Sequence, residues 1–79
     1  MKKVKLTTID NVTNFCHAAS NVNGEVTVRT DKYIVNGKSI LGILSLDLND
    51  YILVEAKGVN VDTEEVFWNA LTLMGIETI

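Results

Sequence analysis

Four short strands and three helices, in the order βαββαβα with all the helices on one face of a single sheet, are what these 79 residues predict. Three observations carry that α+β expectation. Stretches with apolar residues at every second position are interleaved with stretches whose apolar residues recur at three and four, the periods of a half-buried strand and of an amphipathic helix. Strands that alternate have one dry and one wet side, and an open-faced two-layer arrangement satisfies both. A chain of this length holds one core, burying roughly 60% of its unfolded surface. With no proline and no low-complexity tract to mark a linker, residues 1–79 read as a single domain.

Val4-Lys5-Leu6-Thr7-Thr8-Ile9 alternates and includes β-branched residues, hence a first strand. From Asp10 to Ser20 the apolar Val12, Phe15, Cys16 and Ala19 fall at i, i+3, i+4 and i+7, the stripe of a helix with Asp10 as its expected N-cap. Turn-prone Asn21 to Gly24 ends it. Glu25 to Thr30 alternates as the second strand, and Asp31-Lys32 reverses the chain into the third, Tyr33 to Asn36, with Gly37 expected to take a positive φ. Ser39 stands where the N-cap of a short helix over Ile40–Leu46 belongs, and Asp47 to Asp50 closes it. Tyr51 to Ala56 is the most apolar strand and Gly58 ends it. Asp62 with Glu65 reads as the capping box of the last helix, Val66, Phe67, Ala70, Leu73 and Met74 as its buried stripe, and Gly75 as its C-terminal stop. Trp68 lies outside that stripe, where it either covers a core edge or anchors a partner.

Ten acidic residues against seven basic leave a net charge of −3, the wrong sign for a protein that neutralises a row of phosphates, so no nucleic-acid partner is expected. Cys16 is the only cysteine and reads as core filling in a reducing compartment. With one histidine and no phosphate-cradling glycine loop, catalytic triads, metal clusters and nucleotide motifs lack parts. No enzymatic activity, no metal and no cofactor is expected. No apolar run is long enough for a signal peptide or a membrane span, so the expectation is a cytoplasmic chain without membrane insertion.

Three features remain. His17 lies nearly opposite the apolar stripe of the first helix, an exposed imidazole that is either a solvated bystander or a phosphoryl acceptor. Ser39 places a hydroxyl at a helix start, where it caps the helix and where a phosphate would also be stabilised. The helix after it carries too many apolar residues for one face. With Ile40 and Ile43 turned inward, Leu41, Leu44 and Leu48 form a second stripe, either clasped by neighbouring loops or awaiting a protein partner.

Val35-Asn36-Gly37-Lys38-Ser39-Ile40-Leu41-Gly42-Ile43-Leu44-Ser45-Leu46 closely resembles the regulatory-serine segment of the HPr family, the histidine-containing phosphocarriers of the bacterial sugar phosphotransferase system. The likeness extends from Gly24 to Val54-Glu55-Ala56-Lys57-Gly58, and the inferred element order is the family's. It implies an HPr-like sandwich, a Ser39 that is phosphorylated by an ATP-dependent kinase, and a docking patch at Leu41 and Leu44. The family's active histidine opens the first helix in a Gly-aliphatic-His-Ala-Arg-Pro-Ala motif, which this chain lacks. An ungapped alignment from Lys38-Ser39 puts Thr8 at the histidine position and Asp10 at that of the phosphate-binding arginine. A threonine forms no phosphoramidate, and a carboxylate repels a phosphoryl group.

The reading that follows is an HPr-like component or regulator of the phosphoenolpyruvate-dependent system. It works by docking proteins through Leu41, Leu44 and Leu48, with Ser39 as a phosphorylation switch. The alternatives are a phosphocarrier that uses His17, and a structural module that forms a homodimer through the same leucines.

Overall fold

The computed structural model describes all 79 residues. Strands β1 (Lys2–Lys5), β2 (Glu25–Arg29), β3 (Ile34–Asn36), β4 (Ile52–Lys57) and β5 (Glu77–Thr78) and helices α1 (Ile9–Ser20), α2 (Ile40–Leu44) and α3 (Val61–Leu73) follow the chain as βαββαβαβ. The strands form one sheet in the order β3-β2-β4-β1-β5, every neighbouring pair antiparallel. The pleat sorts the side chains. Val4 opposite Ile52, and Val28 opposite both Val54 and Val35, share the helix-covered side, while Thr27 opposite Glu55 and Glu25 opposite Lys57 share the other. Phe15 and Cys16 of α1, Ile43 of α2 and Phe67, Trp68 and Leu71 of α3 complete the core, in which no polar side chain is buried.

The sheet has five strands, not four. After α3 the chain returns along β1, with Val4 opposite Thr78 and Lys5 opposite Glu77, and Lys3 and Ile79 exchange both backbone hydrogen bonds. Two residues are too short a run for alternation to announce, and an edge of β1 left open by the rest of the sheet decides the pairing. Strand β1 also ends earlier than its pattern implies. Thr8, in extended backbone, accepts from the Asn11 N–H at 3.0 Å and starts α1 at Ile9, so Thr8 and not Asp10 is the N-cap. In the same way Asn60, accepting from the Thr63 N–H at 2.8 Å, caps α3 in place of Asp62.

The buried face of α3 is rotated from the expected stripe. Phe67, Trp68 and Leu71 face the core, while Leu73 is 88% exposed and Val66 is exposed too. Apolar residues cover more than half of this helix, and the face bearing two aromatic rings buries the larger area. Phe67 packs edge-on to Phe15 with ring centroids 6.0 Å apart, and the Trp68 indole N–H donates to Glu64 Oε2 at 3.1 Å. Trp68 is therefore a core residue. At the end of α3 the Gly75 N–H bonds to Thr72 O and the Ile76 N–H to Leu71 O, with Gly75 at φ +77°, the double bond that closes a helix on a left-handed glycine. Gly37 is not in that region. Its role is close approach, because a Cβ there would lie 2.6 Å from Val26 Cγ1.

Candidate docking surface and regulatory serine

Residues 36–42 form a short, heavily hydrogen-bonded entry to α2. Asn36 accepts from the Lys38 N–H on its side-chain oxygen (2.9 Å) and from the Ser39 N–H on its carbonyl (3.0 Å). Ser39, in extended backbone, then caps the helix as its position implied, its Oγ accepting from the Gly42 N–H at 3.1 Å. Glycine at 42 keeps this turn close, since a Cβ would lie 3.2 Å from Ser39 Oγ and 3.4 Å from Val35 Cβ. Lys38 turns away from the serine. Its ammonium donates to the carbonyls of Val22 (2.9 Å) and Gly24 (2.8 Å) and ties the entry loop to the bend that follows α1.

A helix of five residues has one turn to divide between core and solvent. Ile43 is fully enclosed and Leu46, just beyond the helix, is buried, whereas Ile40, expected inward with Ile43, is exposed. Within so short a helix Ile43 is the one residue buried in the core, and Ile40 at the opening position is left at the surface. Leu41 is 82% exposed and Leu44 is exposed, while Leu48 is half-buried against the core edge. The leucines are therefore not enclosed within the chain.

Beside Leu44 and Leu48 lies a groove of about 310 Å³ whose other wall is the start of α1, with Thr8, Ile9 and Val12 among its lining. Ile9 is 73% exposed and extends the apolar surface of α2 across to α1. Ile9, expected at the end of the first strand from its alternation, is instead the first residue of α1. The available signal was the Ile9–Val12 spacing of three, which continues the helical period back to a threonine able to cap.

Thr8, Leu44 and Leu48 thus meet in one place, Leu41 lies on the same short helix, and Ser39 caps the helix end remote from the groove. The mouth of α1 is closed by its own side chains. Besides the Thr8 cap, Asn11 Oδ1 accepts from the Thr7 N–H (3.1 Å) and the Thr7 hydroxyl (2.8 Å), and the Asp10 carboxylate stands exposed in the first turn. His17 is exposed in the last turn of α1, about 13 Å along the axis from Thr8 at 1.5 Å per residue. That is the negative end of the helix, which disfavours a phosphoryl dianion. Cys16 is buried in the core, and desolvation raises its thiol above its ordinary pKa.

A family model described as "PTS HPr component phosphorylation site" matches residues 10–74. The chain belongs to the HPr family. HPr proteins are phosphocarriers of the phosphotransferase system and act with its other proteins rather than as catalysts in their own right. The match includes His17, Ser39 and the leucines of α2 and begins two residues after Thr8. The three-helix, open-sheet architecture fits the HPr fold, with β5 as a fifth strand. No curated protein and no solved structure gives a match to this HPr-family chain. No helix is long and apolar enough to cross a membrane.

Proposed function

We propose that this HPr-family chain acts by docking other proteins, through Leu41, Leu44 and Leu48 joined by Ile9, and that phosphorylation of Ser39 switches the docking. One observation carries the reading: a nearly bare Leu41 stands two residues from a capping serine, on a short helix whose other end, at Leu44, borders the groove. Esterifying Ser39 Oγ would place two negative charges at the rim of an apolar surface, against a helix N-terminus that stabilises them. An apolar surface that bears a dianion at its edge fits a different partner from one that does not. This reading sets aside the alternative, histidine phosphotransfer from His17. Thr8 cannot carry a phosphoramidate, and His17 stands at the wrong end of its helix, remote from the groove.

Two incubations followed by intact-mass measurement test this. With ATP and an HPr kinase the chain should gain one phosphate, and Ser39→Ala should gain none. With phosphoenolpyruvate and the first enzyme of the phosphotransferase system it should gain nothing. An unmodified wild type in the first incubation removes the switch, and an acid-labile adduct on His17 in the second replaces the docking reading with that of a working phosphocarrier. Leu41→Ser should weaken binding to a docked protein about tenfold or more, since central exposed apolar residues carry 1–2 kcal/mol or above in such interfaces. Sedimentation over a range of concentrations separates docking to other proteins from pairing of two copies.

A further inference from the structure

Two asparagines in the chain precede a glycine, Asn23 and Asn36. Such a pair is chemically labile, because a glycine has no side chain to hinder its backbone nitrogen from reaching the preceding side-chain Cγ. The fold treats the two pairs in opposite ways. Gly37 is buried, and its N–H, the attacking group, donates to Val26 O at 2.7 Å. The Asn36 side chain is held as well, its oxygen accepting from the Lys38 N–H. Asn23 is exposed in the bend between α1 and β2, its side chain makes no hydrogen bond, and the Gly24 N–H makes none either. Packing keeps the labile pair in place, since a Cβ at position 24 would lie 2.6 Å from Lys57 O and 2.7 Å from Val59 Cγ1.

From this contrast we infer that Asn23 is a site of spontaneous deamidation and isomerisation, whereas Asn36 is protected by the fold. The Gly24 nitrogen forms a bond to Asn23 Cγ, the bond from Cγ to the side-chain nitrogen breaks, and ammonia leaves with the proton that the Gly24 nitrogen gives up. Water then opens the cyclic imide at either carbonyl, leaving aspartate or isoaspartate. Overall one water is consumed, one ammonia is released and one negative charge is gained.

The site is coupled to the serine segment by Lys38. The two carbonyls that hold the Lys38 ammonium, those of Val22 and Gly24, bracket Asn23. Isoaspartate adds a main-chain atom between them, so the ammonium can no longer hold both, and the entry to α2 loosens. This consequence does not depend on the proposed function, because it concerns the ordering of residues 38–42 whether or not Ser39 is ever phosphorylated.

The experiment incubates the whole chain in mildly alkaline buffer at physiological temperature, with and without denaturant, followed by tryptic mapping. Cleavage after Lys5, Arg29, Lys32 and Lys38 puts the two sites in separate peptides, 6–29 and 33–38. In the native chain, acid and isoacid forms should accumulate at Asn23 at least about tenfold faster than at Asn36, and in denaturant the two rates should converge, as expected for protection by a hydrogen-bonded, buried amide. Asn23→Gln should leave peptide 6–29 unchanged. The isoaspartyl fraction, isolated by ion exchange, should exchange its Gly42 amide faster than the parent does. Equal native rates, or faster change at Asn36, would overturn the assignment of the site, and an unchanged Gly42 amide would overturn the coupling.

Discussion

The Ser39 hydroxyl has a structural duty whatever else befalls it, because it satisfies the Gly42 N–H at the start of α2. Ser39→Ala should therefore cost about 0.5–2 kcal/mol, read from denaturant unfolding, in addition to removing the phosphorylation site. A loss outside that range would mean that the cap does not hold the helix. Ile43, two positions beyond the exposed Leu41, has no exposure at all, and Ile43→Ala should cost about 2–5 kcal/mol. On a small domain that is a large part of the total stability. Leu41→Ala should change stability by less than about 0.5 kcal/mol, as for most surface positions. The contrast separates the residue that holds α2 from the residue that α2 presents.

At the scale of the element, helix ends are governed by caps and helix faces by packing. Gly75 takes a left-handed conformation that closes α3, and the Ile76 that follows is buried near Leu71. Gly75→Ala should lower stability by about 1–2 kcal/mol, with a matching fall in thermal midpoint, because a Cβ is disfavoured at that φ. The glycine was legible from its place after an amphipathic run. The buried face of α3 was not, since Val66, Phe67, Trp68, Ala70, Leu71, Leu73 and Met74 offer two overlapping stripes and only contact with Phe15 selects between them. The start of α1 shows the same limit. Val4 to Ile9 alternates well enough for a strand, yet Thr8 and Asn11 form caps that end the strand sooner.

For the molecule as a whole, alkaline pH probes how the last strand is fastened. The Tyr51 hydroxyl donates to the Glu77 carboxylate, joining the start of β4 to β5, and that bond, with the nearby negative charge, raises the phenol above its ordinary value near 10. Burial raises the Cys16 thiol likewise. A group with a raised native pKa keeps its proton in the folded chain after the unfolded chain has lost it, so unfolding is accompanied by proton release and stability falls as pH rises. Both contributions are complete at neutral pH. The cysteine part is lost once pH passes its ordinary value of about 8.5–9, and the tyrosine part above about 10. Tyr51→Phe, which removes the bond to Glu77, should lower stability in the neutral region and flatten the alkaline arm of a stability–pH profile. An unaltered arm would show that the contact between β4 and β5 is not maintained in solution.

By itself the sequence determined the α+β class, the single core, the Ser39 cap and the leucine-rich turn, because periodicity and capping are local properties that a few neighbouring residues specify. Its resemblance to the HPr family followed from the same serine segment, and the family match agrees with it. Tertiary structure alone decided the fifth strand, the face of α3 that is buried, the commitment of Lys38 to two distant carbonyls and the meeting of Ile9 with Leu44 across a groove. Each of these joins residues far apart in the chain, and their energies depend on which surfaces the folded core leaves within reach.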